Sequence, residues 1–104
     1  MADPDSPARN SGIPLGDDPI GPPPQHIIET EVKGNVSLYD PKQERVLVLN
    51  GTASDVWLLC DGEQTVTRIV ELLVAAYGGN PATVRGDVET TIRQFIEEGF
   101  VPKP

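Results

Sequence analysis

At Asn50 the spacing of apolar residues along the chain changes from two to between three and four, and this switch limits the fold more than any other feature. Before it, "HIIETEV" (26–32), "NVSLYD" (35–40) and "RVLVL" (45–49) are β-rich and largely alternating. Turn material separates them. Gly34 and Asn35 in "KGN" tolerate positive φ, and Pro41 in "DPKQE" suits the second position of a turn. Three short strands in a meander are therefore expected first and helices after them, which is the α+β class.

Behind Asn50, a good N-cap, Ala53, Val56, Trp57 and Cys60 recur at helical spacing, giving a first helix over about 51–60 that Asp61-Gly62 stops. Thr65 caps a second, with Val66, Ile69, Val70, Leu73, Ala76 and Tyr77 in one stripe and Gly78-Gly79 at its end. Asn80 caps a third with Pro81 at the favoured first position, and Val84, Val88, Ile92, Phe95 and Ile96 form its stripe up to Gly99. Phe100 and Val101 are expected to fold back on the core.

The stretch "LNGTASDVWLLCDGEQT" is thus a joint between sheet and helices. Cys60, the only cysteine, shares a face with Ala53, Val56 and Trp57, and lies at the helix C-terminus, where the dipole opposes a thiolate. It reads as a core side chain. There is no glycine-rich phosphate loop after a strand and no histidine pair; Glu97-Glu98 and Asp17-Asp18 are adjacent acids rather than a facing pair. His26, the single histidine, reads as a surface residue. These observations point away from an enzyme and toward no cofactor or metal.

Residues 1–25 hold seven of the eleven prolines, three glycines and four aspartates against one arginine. Such a segment buries too little to offset the entropy of ordering it, so a disordered tail is expected over 1–25 and a folded domain over 26–104. Pro22 to Pro24 read as a stiff spacer or a ligand of the SH3 type. No secretory signal pattern opens the chain and no apolar run nears the roughly 20 residues of a membrane span, so a cytoplasmic, soluble protein with no membrane partner is expected. Taking the tail's charge of −3 from the total of −8 leaves −5 on the folded part, which disfavours nucleic acid.

The second and third helices have helix-turn-helix spacing, and a hairpin beside them makes the arrangement winged-helix-like, so a DNA-binding regulator is the alternative reading. The third helix, with Arg85 and Arg93 against Asp87, Glu89, Glu97 and Glu98, speaks against it. The other use of such a sheet is an edge to which an extended peptide adds a strand. "ERVLVL" suits such an edge, with Leu47 and Leu49 on one face and Val46 and Val48 on the other, although pattern alone leaves it open as an ordinary core strand.

Leu49-Asn50 followed by small residues, then "DVWLLCDGEQTVTRIVELLVAAYG" and "VRGDVETTIRQFIEEGFV", resembles the PqqD family in order and spacing over 36–101. The resemblance implies a RiPP recognition element: a winged helix-turn-helix-like domain of three antiparallel strands followed by three helices, which binds the leader of a ribosomally made precursor peptide as an added strand. It implies a peptide-binding site on the third strand at Arg45, Val46, Leu47 and Val48, and on the third helix at Val84, Arg85, Val88, Thr91 and Ile92. Arg85, Val88 and Thr91 are the expected surface positions, and replacing Val48 or Val88 by a charge is expected to weaken binding without unfolding. The implied partners are the precursor peptide and a modifying enzyme, a radical SAM protein or a leader peptidase; strand swapping also allows a homodimer. Lys42 to Glu44 depart from the Pro-Glu step of proteins dedicated to pyrroloquinoline quinone, so the pathway stays open.

Overall fold

The computed structural model describes residues 15–104. Three strands form one antiparallel sheet in the order β1 (Ile28–Val32), β2 (Asn35–Asp40), β3 (Arg45–Val48). Three helices follow: α1 (Gly51–Leu59), α2 (Val66–Tyr77) and α3 (Pro81–Glu97). The β1–β2 turn is a two-residue loop in which Lys33 and Gly34, rather than Gly34 and Asn35, take positive φ. Asn35 instead pairs with Val32 as the first residue of β2.

Every helix begins on the cap that the sequence marks. Asn50 accepts from the amide of Ala53, Thr65 from Arg68, and Asn80 from Ala82 and Thr83. The helices cover one face of the sheet, where Val36, Leu38 and Leu49 are buried with Val56, Trp57, Ile69, Ile92 and Phe95. Trp57 meets Phe95 edge-on at 5.4 Å, and its indole N–H donates to Glu29 Oε1 at 2.7 Å, tying α1 to β1. Ser54, also buried, accepts the amide of Val36 at 2.9 Å, so the joint between β2 and α1 leaves no orphaned donor there. Phe100 and Val101 do fold back and are buried, with both amides donating to the carbonyl of Phe95. Full burial of a side chain such as Phe100 contributes about 2 kcal/mol.

Two regions differ from the sequence expectation. The last turn of α2 runs past the core, leaving Tyr77 73% exposed with its hydroxyl on Asp55. The segment expected as a tail over 1–25 is packed where the structure describes it; residues 1–14 lie outside the described residues. Leu15 and Ile20 are core side chains, the Ile20 amide donates to the carbonyl of Gln64, and the Gly62 amide donates back to Ile20. Gly21 takes a positive φ against the α1–α2 connection, and a Cβ there would run into the carbonyl of Cys60. Low local hydrophobicity is outweighed here by two well-placed apolar side chains and a pair of backbone hydrogen bonds.

Candidate functional site

In the register of the sheet, Leu38 stands opposite Leu47, and the Leu49 amide donates to the carbonyl of Val36. Residues on an antiparallel strand direct their backbone groups alternately to one neighbour and the other. Leu47 and Leu49 therefore face β2, and Val46 and Val48 turn their N–H and C=O groups to the free edge. Their side chains stand on the outer face of the sheet, 62% and 69% exposed, in the rows Ile28–Tyr39–Val46 and Thr30–Ser37–Val48. Leu47 points the other way and packs against the core. The alternation read from the sequence holds, and β3 is an edge strand.

α3 meets the start of β3 with its C-terminal end and the residues just past β3 with its middle. At one end Arg45 reaches Glu98 Oε1 at 3.2 Å. At the other a groove of about 390 Å³ opens between Asn50, Thr52 and Ala53 on one side and Asp87, Thr90, Thr91 and Gln94 on the other. The spacing of Asp87, Thr90, Thr91, Gln94 and Glu98 makes this a polar stripe along one side of α3.

Of the α3 positions named from the sequence, only Thr91 lines this groove. Val88 and Ile92 are buried in the core, so the expectation that Val88 is a surface position does not hold. Val84 packs against the core on the side of α2, where Leu73 and Tyr77 lie. Arg85 also turns toward α2, donating to Thr67 Oγ1 at 2.6 Å and to Glu89 at 3.3 Å. Asp87, Thr90, Gln94 and Asn50, the cap of α1, were not among the positions named for this groove. The signal was present: they are the polar positions beside the apolar stripe, and an open groove is lined by what the core leaves out.

The β2–β3 turn that aims the edge is held by Asp40. This buried carboxylate accepts from the amides of Lys42 and Gln43 and from the Gln43 side chain, with His26 Nε2 at 3.1 Å. Burial works to raise its pKa, but the two amides, His26 and the Gln43 side chain outweigh it and hold Asp40 below the ordinary carboxylate value. His26 is thus a partner of the turn rather than a plain surface residue. Cys60 lies in the core, and burial, with the charge of Asp61 adding to it, pushes its thiol up to about 12, far from a reactive thiolate. Among the described residues no group of three or more histidine, cysteine, aspartate or glutamate side chains could hold a metal ion. No helix among them is long and apolar enough to cross a membrane.

The model of the family described as coenzyme PQQ synthesis protein D (PqqD) matches residues 35–101. The chain belongs to the PqqD family. Relatives called PqqA binding protein, from Rhodopseudomonas palustris strains BisB5 and ATCC BAA-98 / CGA009, are 31% and 33% identical over 58 residues, 56% of this chain. The match spans 57% of the length of these relatives. The fold is shared with TbiB1 in complex with the TbiA(beta) leader peptide, at a TM-score of 0.72 and 17% identity, over 79% of this chain and 95% of that one. It is shared also with the PqqD truncation of Methylobacterium extorquens PqqCD, a stand-alone RiPP recognition element, at a TM-score of 0.69 and 21% identity, over 89% and 97%. The PqqD match begins at the first residue of β2, so β1 and the packed segment over 15–25 precede it.

Proposed function

We propose that this PqqD-family chain binds the leader segment of a ribosomally made precursor peptide as an antiparallel strand on β3 and presents it to a modifying enzyme. The observation that carries this reading is the free edge of β3, where Val46 and Val48 offer two N–H and two C=O groups, with an open groove beginning at Asn50 just past the end of the strand. An added strand takes its sequence-tolerant affinity from those backbone groups and its selectivity from side chains that alternate between the outer face and the groove. Outward side chains extend the apolar row Ile28–Tyr39–Val46 and the row that ends at Val48. Inward ones meet Thr91, Gln94 and Asp87, which favour hydrogen-bonding or cationic partners. The site residues in this reading are Arg45, Val46, Leu47, Val48 and Thr91, joined by Asn50, Asp87, Thr90 and Gln94.

The reading is supported by relatives named for binding PqqA and by the leader-peptide complex of TbiB1. It assigns the chain no covalent chemistry and no cofactor. Its work is to raise the effective concentration of the precursor at the active site of a radical SAM enzyme or a leader peptidase in the cytoplasm. The α3 surface, with Asp87, Glu89 and Glu98 exposed or half-exposed, gives no cationic face to support the DNA-binding alternative.

The test is a titration of isotopically labelled protein with synthetic leader segments of precursor peptides encoded near its gene. Saturable amide shifts confined to β3 and the Asp87–Thr91–Gln94 side of α3 are expected. Shifts elsewhere, or none at concentrations far above micromolar, would remove the reading.

A further inference from the structure

A second concave surface lies between α1 and α2 and includes no residue of β3. Leu59, Leu72, Leu73 and Ala76 form an apolar depression of about 340 Å³, with Asp55, Leu58 and Tyr77 at its border. Leu58 is 55% exposed and Tyr77 73%, although each could have been polar at no cost to the core. Asp55, Leu58 and Tyr77 also border an adjoining depression of about 490 Å³ that reaches Glu31 and Gly34 near the β1–β2 turn. The Tyr77 hydroxyl donates to Asp55 Oδ2 at 2.7 Å, fixing the ring where the two depressions meet. Large apolar side chains grouped around an apolar concavity mark an interaction surface more often than scattered exposed ones do.

Charge selects the occupant. Glu31 and Asp55 border the two depressions, and neither is lined by a lysine or arginine. The whole chain carries −8, so a second copy would bring acid against acid. We infer that this face docks a cationic amphipathic helix of a partner protein, which places aliphatic or aromatic side chains between Leu58 and Tyr77 and lysines or arginines against Asp55 and Glu31. This is the helix-in-groove mode, with the anchors in the depression and the charges at the rim. Because β3 is left free, such a partner and an extended peptide can be held together. The inference goes beyond leader binding and does not depend on it.

The test uses the full chain, labelled for amide spectra, and two synthetic helical peptides about 18 residues long, one of leucine and lysine and one of leucine and glutamate. The leucine–lysine peptide is expected to bind saturably, with shifts confined to α1 and α2 around Asp55, Leu58, Leu72 and Tyr77 and to Glu31 and Gly34 at the β1–β2 turn. Leu58→Glu should weaken it at least about tenfold and Asp55→Asn several-fold, while the leucine–glutamate peptide does not bind. Should Leu58→Glu disturb the fold, Tyr77→Ser takes its place. Equal binding to wild type and Leu58→Glu overturns the inference, because the attraction is then diffuse charge. So does sedimentation of the wild type as a dimer that Leu58→Glu returns to monomer, since the occupant is then a second copy. A leader segment titrated into Leu58→Glu reports separately on β3, so failure on one face is distinguishable from failure on the other.

Discussion

The two free edges of the sheet differ in what they offer a passing strand. By the same parity that turns Val46 and Val48 outward on β3, Glu29 and Glu31 direct their backbone groups to the free edge of β1. One edge is lined by glutamates, the other by valines whose neighbouring charge, Arg45, is already engaged with Glu98. Charged residues at an edge discourage pairing, and β-branched apolar ones invite it. The contrast teaches that the two edges of a small sheet can be made unlike by composition alone.

The contrast is lost if the helix flanking β3 is not anchored, which sets the largest expected effect. Val88, only 1% exposed, holds α3 to the core. Val88→Glu would bury an unpaired carboxylate, costing at least about 3 kcal/mol, and should appear as loss of cooperative unfolding by circular dichroism. A folded Val88→Glu would mean that α3 can turn its apolar stripe toward β3.

Both edges rest on one core, and Cys60 reports on it. Its raised pKa means that the folded state keeps the thiol proton above the pH at which the unfolded chain loses it. The corresponding stability is intact below about pH 9 and is lost as pH rises toward 12, by roughly 1 kcal/mol per unit. Urea midpoints measured across that range should fall more steeply in the wild type than in Cys60→Ala, the difference being this slope.

The edges themselves are compared by proline. Val46→Pro removes an outward N–H without touching the ladder to β2, and should cut leader affinity at least about tenfold. Glu31→Pro does the same at the β1 edge and should leave affinity unchanged in the same titration. Equal effects would erase the distinction. The smallest effect on the fold is expected from Val48→Glu, which gives β3 a guard like that of β1. Its stability should stay within about 0.5 kcal/mol of wild type, while leader binding, measured by calorimetry, weakens several-fold.

Much of this was readable without coordinates. The change of spacing at Asn50, the caps Asn50, Thr65 and Asn80, and the stops at Gly62, Gly78 and Gly99 are local, because a cap or stop depends on residues within one turn. The alternation of β3 is local too, and it put Val46 and Val48 on one face and Leu47 and Leu49 on the other. The sequence by itself therefore determined the elements, their order, their apolar stripes and, through family resemblance, the kind of domain. Only the tertiary structure decided what each stripe faces. Periodicity says that Val84, Val88 and Ile92 lie together on α3, but it does not set the rotation of the helix between α2 and β3. Packing sets it: the apolar stripe is drawn into the core, which leaves Asp87, Thr91 and Gln94 for the groove and turns Arg85 to Thr67. Likewise Ile20, set among prolines and aspartates, is held in the core by partners some forty residues away, Gln64 and Gly62. Composition averages over neighbours in sequence, whereas burial is decided by neighbours in space.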